Sequence, residues 1–285
     1  MRLGVVAYVP RDIEEITPEV AQRVRANGFR SIFFSLQNDP ADISDQKARS
    51  VREVLAADGV DVGQYWGRYG SLVRPESDHW PETMRLLDET MRVAAQLGCR
   101  CVIAPPGSLN PAGAYAPHRL NNSDQAMELL VERCREAVKP AEQHGIYLAL
   151  EPHTLCILNT PERAKLLIDA VGSPALAIEW DPVNWLTFET LYASGEVIQR
   201  TYDLLGERLV TGHAKDISPV NRLVVHLDET YAGNGELDYA TFLRCFSRLQ
   251  PWKTLYIEHT PEEHIPSAKQ HIDTMARSIG VSVTE

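Results

Sequence analysis

The chain has 285 residues, 44% of them hydrophobic, and a formal net charge of -11. That length buries a large core and suits either two ordinary domains or one α/β barrel, while the acidic balance, with no basic stripe to reverse it, opposes a nucleic-acid partner. Five scattered cysteines (Cys99, Cys101, Cys134, Cys156, Cys245) make neither a disulfide framework nor a zinc ligand set, no segment approaches membrane-spanning length, and the N-terminus lacks a signal-peptide pattern; the expectation is a cytoplasmic protein with no membrane partner.

Taken in order, apolar strand-like runs occur at 3–9, 31–36, 60–66, 101–105, 147–151, 176–181, 209–213 and 254–258. Helix signals fall between them. Thr17-Pro18 and Thr160-Pro161 read as cap and first turn, and amphipathic segments at 80–97 and 123–144 stop at Gly98 and Gly145. Strict alternation of strand and helix implies a parallel sheet, and eight such units close into a barrel. An open doubly wound sheet would usually carry a glycine-rich phosphate loop after its first strand, and Tyr8-Val9-Pro10-Arg11 is not one. No Ser/Gly-rich linker divides the chain, so residues 1–285 are read as a single (β/α)8 TIM barrel domain of the α/β class.

Four successive runs end in side chains that bind cations: the fifth in Glu151, the sixth in Asp181, the seventh in His213 and the eighth in Glu258. The first two intervals are close to the roughly 31 residues of one unit in a 250-residue barrel, so each strand lifts one such group to the C-terminal rim. The third is longer, and the loop from Asn221 to Gly235 takes up the difference. Three converging carboxylates need a neutraliser, and oxygen donors plus one imidazole suit one divalent metal ion, manganese before magnesium, cobalt or zinc. Four separately satisfied rim residues are the alternative, and their placement on adjacent strands argues against it.

The segments EPH at 151–153, WDPVN at 180–184, HAKD at 213–216, GNGELDY at 233–239 and IEH at 257–259 together resemble the xylose isomerase-like TIM barrel superfamily, in its sugar phosphate isomerase/epimerase group. The resemblance spans essentially the whole chain. It implies that Glu151, Asp181, His213 and Glu258 bind one divalent metal and that a sugar or polyol is held there by neighbouring oxygens. The chain departs from the ketose 3-epimerase members, with Ile157 where they carry a second glutamate, Asn184 where they carry a histidine and Pro219 where they carry an arginine.

Other rim residues complete the candidate site. His153 and Lys215 stand two residues beyond Glu151 and His213, and alternation turns them the same way, His153 toward a substrate hydroxyl or into a turn, Lys215 toward a substrate oxygen or into a salt bridge with Glu179 or Asp181. Trp66, Arg68 and Tyr69 after the third strand, with Asn184 and Trp185 after the sixth, are candidates to wall a sugar pocket. His118 and Arg119 lie in a loop long enough to act as a lid, and His259 is expected to face outward. These readings converge on a metal-dependent isomerase or epimerase of a sugar, sugar acid or cyclic polyol, working through an enolate with Glu151, Glu258, Lys215 and His153 as catalytic groups. A dehydratase or lyase on the same site is the alternative, and a homo-oligomer is compatible with either. The superfamily's endonuclease branch needs more histidines and a basic groove, and a non-catalytic module would have broken ligand positions; neither fits.

Overall fold

A computed structural model describes residues 1–67, 69–75 and 79–284. Among these the strands are β1 (Arg2–Val5), β2 (Ser31–Ser35), β3 (Asp61–Trp66), β4 (Cys101–Ala104), β5 (Tyr147–Leu150), β6 (Leu176–Trp180), β7 (Leu209–Val220), β8 (His226–Tyr231) and β9 (Thr254–Ile257). The helices are α1 (Pro18–Ala26), α2 (Asp45–Ala57), α3 (Trp80–Gln96), α4 (Asp124–His144), α5 (Pro161–Val171), α6 (Ser194–Leu205), α7 (Tyr239–Ser247) and α8 (Ile265–Ser278). Strands β1 to β7 and β9 pair in parallel with their neighbours, and the β6–β7 pairing closes the ring into a (β/α)8 barrel.

Local chemistry sets the boundaries. Hydroxyl caps open three helices, with Ser44 accepting from the Lys47 amide, Ser123 from Ala126 and Thr160 from Arg163. α4 and α5 end on Gly145 and Gly172 in the left-handed conformation, where a side chain would be strained. Along β5, Leu148 and Leu150 join the apolar layer beneath the helices while Ala149 joins a second apolar group with Cys101, Ile103, Ala177 and Val210. Two steps on from Ala149 lies Glu151, and from Ala177 lie Glu179 and then Asp181, so the inward face turns from apolar floor to acidic rim.

The long third interval is not filled by a loop alone, because residues 226–231 of the expected 221–235 loop form a strand. β7 runs well past His213 to Val220 and turns back as β8 in an antiparallel hairpin, with Lys215 opposite Tyr231 and Ile217 opposite Glu229. The hairpin stands outside the barrel and is mostly polar, which is why an apolar run does not reveal it. Asp216 fastens its return by accepting the amides of Gly233 and Leu237, each at 2.9 Å. Gly235 is required there, because a Cβ would lie 2.4 Å from Asp216 Oδ1. All five cysteines are free and buried. No described helix is long and apolar enough to cross a membrane.

Candidate metal centre

Glu151, Asp181 and Glu258 each sit one residue beyond β5, β6 and β9, while His213 is inside the longer β7. All four are buried, and one ligand-type atom from each falls within 4.8 Å of the others. His213 Nδ1 faces the carboxylates, 3.0 Å from Glu258 Oε2 and 3.9 Å from Glu151 Oε1. Asp181 Oδ2, His213 Nδ1 and Glu258 Oε2 are fully buried, and their close neighbours here are one another and the Lys215 ammonium. Carboxylates crowded this closely keep lone pairs that a single ammonium does not fill, and a hard divalent cation at their meeting point would satisfy them together. The donor set therefore fits a metal.

The remaining contacts orient these ligands. Glu151 accepts the Tyr115 hydroxyl at 2.7 Å through Oε2 and the Asn184 side-chain amide at 3.4 Å through Oε1. Asp181 accepts the Val183 amide through Oδ1, which caps a short turn over 182–185 and leaves Oδ2 pointing inward. The His213 ring stacks on Phe33 at 5.7 Å, and its Nε2 lies 2.8 Å from the Gln64 side chain. Lys215, 1% exposed, places Nζ 2.9 Å from Asp181 Oδ2, 2.8 Å from Glu258 Oε2 and 3.4 Å from Glu229 Oε2.

Those charges set the protonation pattern. Burial opposes the Lys215 ammonium, but Asp181 and Glu258 outweigh it and hold the lysine protonated well above its usual range. Burial would likewise raise the Glu258 carboxyl, yet the His213 ring and Lys215 keep it below the ordinary carboxylate range. Glu179, fully buried with neither oxygen hydrogen-bonded, is pushed well up by burial and then by Glu151, Asp181 and Glu258. The Tyr115 phenol is also driven up, by burial and by Glu151, so it stays a donor. Burial lowers His153 despite Glu151 and favours its neutral ring.

The other sequence candidates are spread around the mouth. His153 is half-buried and packs against Tyr115, with ring centroids 4.8 Å apart. Trp66 and Tyr115 share a cavity of about 490 Å³ with Ser108, Asn110 and Arg74. Trp185 is buried with its indole donating to the Leu158 carbonyl, and Asn184 is buried against Glu151. His118 stays on its loop, accepting the Leu120 amide. Arg68 lies outside the described residues. Lys215 adopts the ion pair with Asp181 while remaining at the ligand group. His259 is exposed and outside the ligand group, as expected, and binds Glu229 of the hairpin at 2.9 Å.

Sequence reading alone passes over Gln64, Tyr115 and Glu229, and treats Glu179 only as a salt-bridge partner. Gln64 and Glu179 do leave a trace, as polar residues inside the apolar runs DVGQYW and LAIEW. Tyr115 leaves none, because a loop residue follows no period.

Residues 21–277 match the family described as xylose isomerase-like TIM barrel. The chain belongs to that family. No curated protein matches it. Among solved structures it is similar to an L-ribulose 3-epimerase (16% identity, TM-score 0.69, covering 98% of this chain and 97% of that one). It is also similar to a xylose isomerase-like TIM barrel protein from Mycobacterium smegmatis in complex with magnesium (18% identity, TM-score 0.68, 98% and 96%). The 3-keto-D-glucoside 4-epimerase from E. coli aligns at 15% identity with a TM-score of 0.67, over 96% of this chain and 98% of that one. At these identities the likeness speaks for the barrel.

Proposed function

We propose that this family member is a divalent-metal-dependent isomerase or epimerase of a sugar, sugar acid or cyclic polyol, acting by proton transfer next to a carbonyl. The observation that carries the reading is the convergence of Glu151, Asp181, His213 and Glu258 within 4.8 Å, three buried carboxylates and an imidazole with the one Lys215 ammonium against them. Family membership and the epimerase names among similar structures support it. Those four residues would hold the ion, with manganese the first candidate. When bound, it would polarise a substrate carbonyl and so acidify the neighbouring C–H.

The chain's own groups supply the rest. Glu151 on the β5 side and Glu258 on the β9 side stand to either side of Asp181 and His213 in strand order, an order that would offer one carboxylate to each face of a substrate carbon. Glu258, held ionised by its neighbours, would take a proton, and Glu151 would return one. Lys215 would donate a hydrogen bond to the oxygen on which negative charge develops, since its ammonium is already desolvated and aimed at the ligand group. His153, neutral and lying beside Tyr115, would contact a substrate hydroxyl. Trp66 and Tyr115 would wall the sugar.

The test is to incubate manganese-loaded protein with ketoses, inososes and keto-glycosides in deuterated water. The expected result is deuterium uptake at one carbon of one substrate, and a drop of roughly 10²–10⁴-fold in that exchange for Glu258→Gln with metal still bound. Absence of exchange across the panel would contradict proton chemistry. Near-wild-type exchange in Glu258→Gln would move the base elsewhere, with His153 the next residue to replace.

A further inference from the structure

The His213 ring meets two different surroundings, and hydrogen accounting links them. Nδ1 faces the carboxylates, whereas Nε2 points toward β3 and meets the Gln64 side-chain amide, placed with its nitrogen toward the ring, at 2.8 Å. The other end of that amide lies 2.6 Å from Thr211 Oγ1, which in turn is 3.2 Å from the Thr254 carbonyl. Gln64 and His213 are fully buried and Thr211 nearly so, so each polar atom has only these partners to choose from. A bulge builds this contact: Val62 pairs with Ile32 and Gln64 with Phe33, which leaves Gly63 unpaired and re-aims the next side chain. A Cβ on Gly63 would lie 2.1 Å from the Tyr256 hydroxyl, so only glycine fits the bulge.

The two ends of a glutamine amide have nearly the same shape, and the network decides between them. If the NH2 end faces His213, Nε2 must carry the lone pair. A neutral ring then has its hydrogen on Nδ1, which cannot ligate a cation. Thr211 also has one hydroxyl hydrogen for two acceptors, Gln64 Oε1 and the Thr254 carbonyl. If the oxygen end faces His213, Nε2–H donates to Gln64, the Gln64 NH2 donates to Thr211 Oγ1, and the Thr211 hydroxyl donates to Thr254. The Gln64–Thr211–Thr254 chain is then satisfied, and the Nδ1 lone pair is directed at Glu258 (3.0 Å), Glu179 (3.3 Å) and Glu151 (3.9 Å), a position that only a cation between them would satisfy.

We propose that Gln64, fixed by Thr211, is a positioning residue that sets the His213 tautomer required for metal binding through Nδ1. This inference rests on the metal-centre reading above. A ligating histidine held by an acceptor on its far nitrogen loses typically 10–100-fold in metal affinity or activity when that acceptor is removed. Gln64→Leu, of similar size and with no acceptor, weakens manganese binding by roughly that factor, measured by titration calorimetry. Gln64→Glu, which keeps an acceptor, retains wild-type affinity or exceeds it, and Thr211→Val falls in between. Zinc-loaded wild type with ¹⁵N-labelled histidine shows a protonated Nε2 on His213, a signature that loss of packing would not produce.

Unchanged affinity in folded Gln64→Leu overturns the inference alone. So does a proton on Nδ1 in the zinc-loaded protein, a measurement that stands even if Gln64→Leu does not fold. Failure of wild type to bind manganese or zinc overturns the metal-centre reading and this inference with it.

Discussion

The two halves of the barrel carry different chemistry. β5, β6, β7 and β9 deliver the four ligand residues, Lys215 and the buried Glu179, while β1 to β4 deliver no ligand and instead present Phe33 to the His213 ring, Gln64 to its far nitrogen, and Trp66 and the Tyr115 loop to the mouth. The backbone is the same in both, a short apolar strand followed by a helix. What differs is the residue turned toward the site: acids, a histidine and a lysine in the second half, aromatic and amide side chains in the first. The first half therefore shapes and orients a site whose ligand residues lie in the second. Fold and function separate along the chain because eight equivalent rim positions can be filled independently.

If the first half only orients, removing its contacts should weaken the site without abolishing it. Tyr115→Phe deletes one charge-assisted hydrogen bond to Glu151 and nothing else of size. Its expected effect is a loss of roughly tenfold in manganese affinity, in the range for a residue that steadies a ligand. Abolished binding would make Tyr115 part of the centre itself, and unchanged binding would reduce it to a wall of the cavity.

A smaller effect probes the excess charge of the second half. Glu179 has a folded-state pKa above its ordinary value of 4.5, so the metal-free protein keeps a proton there that the unfolded chain gives up. That contribution to stability is full below pH 4.5 and is lost as pH rises through the raised value. Glu179→Gln has no such proton to lose. Its melting temperature should pull ahead of wild type as pH rises, by about 2–4 °C near neutrality if the difference is roughly 1 kcal/mol. Thermal melts of metal-free protein across pH measure this, and parallel curves would mean that Glu179 carries no such strain.

Much of this contrast is legible in the sequence because strand ends announce themselves. Apolar runs such as YLAL and LAIEW mark strands by their composition, and the first polar residues after them fall at the rim. That logic finds Glu151, Asp181, His213 and Glu258 and yields the barrel. It misses groups placed by other means. Gln64 is aimed by a bulge, Tyr115 by a loop, and Glu229 by a hairpin whose strands are mostly polar. Trp185 shows the converse: a pocket-type residue at the right place in the chain whose indole is committed to the Leu158 carbonyl.

The most direct test of the central claim is the metal content of the protein itself. Purified chain, stripped with chelator and titrated with manganese, should bind one ion per chain, and Asp181→Ala should lose that binding while its far-UV circular dichroism stays that of the folded barrel, since a rim ligand contributes little to the packed core. A wild-type chain that binds no divalent ion, or a folded Asp181→Ala that binds one as tightly, would contradict the account.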